Sequence, residues 1–256
     1  MNADKYHDPP AVTAVNEGGS SPYLLICEHA ANYVPASYDN LRLTVKDLAS
    51  HIAWDIGAAL LARRLSGLLD APLFLSGYSR LLIDCNRPPR SPSSIPARSE
   101  DTEIPGNQGL SSAEVVFRER AFFAPFQERI TRFLDDREAA GRPSSLLGIH
   151  SFSPTYRGVL RTWHVGILHG RATALASRLI EGFRRDPKLV VGDNEPYRID
   201  PEEDYTVPVH GDARGIPAVL IEVRNDLLVS VVDIQTWAAR IAGVLDLQAR
   251  PATGNP

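Results

Sequence analysis

Seven short apolar runs recur along the chain between longer segments of helical period. They are "YLLICE" (23–28), "PLFLS" (72–76), "RLLIDC" (80–85), "SLLGIH" (145–150), "WHVGIL" (163–168), "KLVV" (188–191) and "AVLIEV" (218–223). Runs this short and this dense in Leu, Ile and Val fit strands buried on both faces. Helices are expected near 45–69, 112–140, 171–185 and 231–249. Ser111 and Glu114 have capping-box spacing ahead of the second helix, which Gly141 and Pro143 close, and Ser230 opens the last one in the same way. Strands alternating with helices in this order predict an α/β fold on a mixed, mostly parallel sheet.

Two segments resist this scheme, 86–109 and 192–217, and loops of that length in a compact domain are expected to be lids or binding loops. The 256 residues fit one domain over 21–250 behind a flexible lead-in at 1–20. Hydrophobic content of 43% with 23% charged residues argues against disorder. No apolar stretch approaches the roughly 20 residues that cross a bilayer, so no membrane association is expected. A start without the layout of a signal peptide, and only two cysteines, Cys27 and Cys85, point to the cytoplasm. A net charge of −4 offers nothing to nucleic acid. A small anionic substrate would need local positive charge, and the oligomeric state is not readable.

Four polar clusters sit at or just past the carboxyl ends of expected strands: Glu28 with His29; Asp84, Asn86 and Arg87; His150 with Ser151; Glu222 with Arg224. Ligands of open α/β sheets bind in the crevice beyond those ends, so the clusters should converge. His29 and His150 are the metal-ligand candidates, because imidazole is a common zinc donor and a catalytic site needs three protein ligands. The third is open between Asp55, expected one helical turn from His51, and Glu28 or Asn32. Glu222 ends a buried strand, where desolvation would raise its pKa and suit it as a general base; a salt bridge to Arg224 is the plainer alternative. Asn86 and Arg87 can grip a carboxylate or simply form a turn before Pro88. Arg80 can neutralise an oxyanion or pair with Asp84.

Rival readings are a cysteine amidase using Cys27, though a cysteine inside an apolar run is usually inert, and a binding module without turnover. His164 suits a core or pocket wall and His210 a loop beside the substrate, while the acidic run 199–205 reads as solvated.

The motifs "CEHAANYVP", "HIAWDIGA", "SRLLIDCNRPP", "GIHSF" and "HGDARGIPAVLIEVRNDL" come in the order found in the N-formylglutamate amidohydrolase family, which the chain resembles over about residues 23–228. That family is related to the zinc carboxypeptidases, and "IDCNR" resembles their D-x-N-R element. The resemblance implies a three-layer α/β/α, phosphorylase/hydrolase-like single domain, one zinc ion, and hydrolysis of N-formyl-L-glutamate, or a close analogue, to formate and L-glutamate. By position, His29 and His150 resemble zinc ligands, with Asp55 the preferred third. Asn86 and Arg87 resemble the substrate-carboxylate clamp and Glu222 the base; in the mechanism this implies, Arg80 is expected to share the oxyanion's charge, and Ser151 and Arg224 are expected at the substrate. The H-x-x-E pair of the carboxypeptidases is absent, and "CEHA" replaces a "PHSG"-like form, which places the chain in a sister branch.

Overall fold

The structure, a computed structural model, describes residues 8–249. Its main sheet has seven strands: β1 (Val12–Val15), β2 (Tyr23–Cys27), β3 (Leu73–Ser76), β4 (Ser145–Phe152), β5 (Val165–His169), β6 (Val191–Asp193) and β7 (Ala218–Arg224). They lie in the order β1-β3-β2-β4-β7-β5-β6. The central four, β3, β2, β4 and β7, are parallel. At one side β5 runs antiparallel to β7 and carries β6 parallel to itself; at the other β1 runs antiparallel to β3. The sheet is thus mixed and mostly parallel.

Helices cover both faces, which is why the strands read as continuous apolar runs. Leu25, Leu147, Ile149 and Ile221 face α2 (Ala58–Leu69), α5 (Thr173–Arg184) and α6 (Val231–Ala249). Their neighbours Leu24, Ile26, Leu146 and Leu220 face Phe126, Ile130 and Leu134 of α4 (Ala124–Ala139). The side-chain period of two divides each run between two cores, and each fully buried leucine contributes about 1.5–3 kcal/mol.

The structure departs from the sequence expectations in four places. Segment 80–85 is no strand: Leu81, Leu82 and Ile83 pack into a third core with Tyr78, Ile104 and Phe123, and the backbone turns, Leu82 N–H donating to Ser79 O at 2.9 Å. Burial on all sides produces the same apolar run as a strand. Segment 45–69 is two helices, α1 (Val45–Ala49) and α2, separated by a turn. Gly57 enters α2 at φ +84°, and a Cβ there would lie 2.6 Å from Leu228 Cβ. His51 and Asp55 therefore share no helical face: His51 turns to Glu100, at 2.8 Å. Segment 112–140 is α3 (Ser112–Arg118) and α4 joined by a π-helical turn at Glu119–Phe123, with Ser111 Oγ accepting from Glu114 N–H. Finally, β1 lies within the expected lead-in, of which residues 1–7 are outside the described residues. Among the described residues no helix is long and apolar enough to cross a membrane.

Candidate active site

The carboxyl ends of β2, β4 and β7 meet beneath a cavity of about 610 Å³, lined among others by His29, Asp55, Arg80, His150, Tyr197 and Glu222. Register does most of the placing. Glu222 on β7 is the direct partner of His150 on β4, so parallel neighbours bring the two groups side by side. His29 follows β2 by two residues, and Asp55 comes from the turn before α2, its N–H donating to His29 O at 3.0 Å.

Asp55 Oδ2 lies 3.4 Å from His29 Nδ1 and 2.8 Å from His150 Nδ1, and it also accepts the Ser151 N–H at 3.3 Å. Its Oδ1 faces Arg80 Nη1 at 3.3 Å. Burial would raise the Asp55 pKa, but the two imidazoles outweigh it and hold the carboxyl well below its ordinary range. Burial and Arg80 likewise press His29 down, yet Asp84 and Asp55 leave it raised. Asp84 Oδ1 is 2.7 Å from His29 Nε2, and Asp84 Oδ2 accepts from Arg80 Nη2 at 3.0 Å. On the other side, Glu28 Oε2 is 3.0 Å from His150 Nε2, close enough for strong attraction though misaligned for a hydrogen bond. Glu28 Oε1 accepts from the Thr206 hydroxyl. Burial lowers the His150 pKa, and Glu28 and Asp55 more than reverse it.

Ligand atoms of His29, Asp55 and His150 all lie within 4.8 Å of one another, the one such group among the described residues. Of the alternatives for a third donor, Asn32 is turned away to Leu48 O at 2.8 Å, and Glu28 lies behind His150. Glu222 is buried, its Oε2 has no hydrogen-bond partner, and desolvation pushes its pKa up to about 7.

Other expected residues fall differently. Asn86 and Arg87 already hold an internal carboxylate: Asp204 Oδ1 accepts from Arg87 Nη1 at 2.6 Å and from Asn86 Nδ2 at 3.5 Å. Asn86 Oδ1 accepts the Thr206 N–H at 2.9 Å, so the Asn86 side chain also anchors loop 192–217, and both Asn86 and Arg87 line the cavity. The acidic run 199–205 is accordingly not all solvated, since Asp204 is buried. Ser151 lines the cavity, but its Oγ donates to Ile56 O at 2.8 Å and steadies the turn that carries Asp55. Arg224 does not line the cavity: Nε donates to Asp226 at 2.8 Å and Nη1 to the Arg161 carbonyl. Cys27 is fully buried in the sheet core, and desolvation raises its thiol pKa well above the ordinary value, which removes the cysteine-nucleophile reading. His164 Nδ1 accepts from Val190 N–H, and His210 Nε2 sits 2.7 Å from Gln127 Oε1 behind the site. Sequence reasoning missed Asp204, in irregular chain, and Thr206, which opens a π-helical turn; neither has a periodic signal, and both are more than a hundred positions from their partners.

A sequence model of the N-formylglutamate amidohydrolase family matches residues 21–229. The chain belongs to that family. Among solved structures, this amidohydrolase-family chain is similar to gene product Atu2144 from Agrobacterium tumefaciens, with 37% identity, a TM-score of 0.90, and coverage of 95% of this chain and 98% of that one. It shares its fold with the N-formylglutamate amidohydrolase from Ralstonia eutropha JMP134, at 15% identity and a TM-score of 0.70 over 93% and 96% of the two chains. No curated protein matches it significantly.

Proposed function

We propose that this amidohydrolase-family chain hydrolyses the N-acyl amide of a small acidic N-acyl amino acid, with N-formyl-L-glutamate as the first candidate, and that one zinc ion serves the reaction. The observation that carries this reading is the convergence of His29 Nδ1, His150 Nδ1 and Asp55 Oδ2 beside Glu222 in the cavity. Two imidazole nitrogens and a carboxylate oxygen are a donor set that suits zinc and leaves a position open. The group fits the residues present: three buried titratable side chains around one point are costly without a cation or protons between them. When bound, zinc supplies Lewis-acid polarisation of the acyl carbonyl and acidifies water.

The remaining work belongs to the chain. Glu222 Oε2 takes the proton from the attacking water as the oxygen–carbon bond forms, and returns it to the nitrogen as the carbon–nitrogen bond breaks. Formate and glutamate are then the products of N-formylglutamate. Arg80 faces the cavity while bridging Asp55 and Asp84, which fixes its guanidinium near the developing oxyanion. Arg87 is the group for the substrate carboxylate, in exchange or shared with Asp204. The fit to an acidic substrate is thus local, in a chain of net charge −4.

The test is formate release from N-formyl-L-glutamate by purified protein, before chelation, after it, and after zinc restoration. Turnover that vanishes with the chelator and returns with zinc is the expected result. Turnover indifferent to chelation removes the metal from the account; absence of formate with zinc bound removes this substrate.

A further inference from the structure

The two histidines of the candidate metal site are held alike. Each turns Nδ1 toward Asp55, and each presents Nε2 to a second buried carboxylate: Asp84 at 2.7 Å for His29, Glu28 at 3.0 Å for His150. An imidazole can offer a metal only the nitrogen that carries no proton, so the group facing the other nitrogen selects the tautomer and the ring angle. For His150 that group is Glu28, which is only 1% exposed. Nothing else competes for its Oε2, which has no hydrogen-bond partner among the described residues. Its other oxygen accepts from the Thr206 hydroxyl, and Thr206 is in turn tied through its N–H to Asn86 Oδ1. A carboxylate in so apolar a place persists only where it is paired or used.

We propose that Glu28 is a positioning residue for His150: with zinc on Nδ1, the ring turns its Nε2–H into line with Glu28 Oε2, now 3.0 Å away, and Glu28 is itself aimed by Thr206. The inference rests on the zinc reading given above. It makes the long loop 192–217 part of the metal centre, since Thr206 is where that loop reaches the buried carboxylate. It also separates Glu28 from Glu222: both are buried acids at strand ends, but Glu222 lines the cavity and Glu28 does not.

The experiment measures zinc affinity of the full chain by competition with a chromophoric chelator, in wild type, Glu28→Ala, Glu28→Gln and Thr206→Val. Glu28→Ala should weaken zinc binding by about 10–100-fold, the range typical of removing a carboxylate behind a ligating histidine. Glu28→Gln keeps an acceptor for Nε2–H without the charge and should restore much of that loss. Thr206→Val, which preserves side-chain volume, should show a smaller loss. A second readout is nitrogen-15 spectroscopy of the histidines in the zinc-loaded protein: His150 should carry its proton on Nε2 in wild type and lose that fixed form in Glu28→Ala. Folded Glu28→Ala and Thr206→Val proteins that bind zinc as tightly as wild type, with His150 unchanged, overturn the proposal. If Glu28→Ala does not fold, Thr206→Val decides by the same criteria. A wild type that takes up no zinc overturns instead the reading on which this one rests.

Discussion

The site is assembled from two kinds of chain. His29, His150 and Glu222 come from the ends of parallel strands, whereas Arg80, Asp84, Arg87 and Asp204 come from irregular segments. Strand-borne groups are placed first by ladder register, as Glu222 is by its pairing with His150, and buried carboxylates then hold the two imidazoles. Loop-borne groups are placed by one another: Arg80 bridges Asp55 and Asp84, and Arg87 grips Asp204. The strand group is therefore assigned the metal and the base, and the loop group the countercharge to the oxyanion, substrate fit and the integrity of the wall.

Substitutions should separate the two kinds. The largest effect is expected for Glu222→Gln, which keeps shape and loses the base: kcat should fall by about 10²–10⁴-fold with zinc content and melting temperature nearly unchanged. Equal falls in zinc content would show that Glu222 holds the metal and is no independent base.

Next comes pH-dependent stability through His210, carried not by a strand but by the π-helical turn Thr206–Gly211. Burial lowers its folded-state pKa to about 4, while an unfolded histidine titrates near 6.5. The neutral form is favoured by folding, so this contribution is complete above pH ~6.5 and is lost as pH falls toward ~4, amounting to about 3 kcal/mol. Denaturant titrations between those pH values should show a shallower loss in His210→Gln than in wild type; identical slopes would mean that His210 does not titrate as its burial dictates.

Arg87→Ala tests the clamp. The expected outcome is a kcat/KM for the anionic substrate lower by about 10–100-fold, mostly through KM. A fall confined to kcat would move Arg87 from substrate fit to chemistry. The smallest effect belongs to Arg224→Ala, whose side chain ends on Asp226 and backbone carbonyls outside the cavity: KM should stay at its wild-type value. A raised KM would show that β7 supplies a substrate contact that its geometry does not display.

The same division decides what the sequence made legible. A strand buried on both faces has few polar residues, so Glu28–His29, His150 and Glu222 stand out against their apolar runs. Segment 80–85 carried the same signal for another reason, because Leu81, Leu82 and Ile83 fill the core beneath the cavity without joining the sheet. Asp55 was legible as a residue but not in its place, since the break before α2 depends on Gly57 meeting Leu228. Asp204 was hidden among Glu202, Glu203 and Asp200: which acid of a run is buried depends on Arg87, 117 positions away. Arg224 misled because a strand end points a side chain either into the crevice or beside it, and only the register tells which.

The most direct test of the central claim, that His29, Asp55 and His150 form one metal site, is the zinc content of chelator-stripped protein after equilibration with zinc and removal of the excess. The account predicts a single zinc per wild-type chain and none in Asp55→Ala or His150→Ala proteins that retain their fold. A wild-type chain that retains no zinc, or variants that retain as much as wild type, would contradict it.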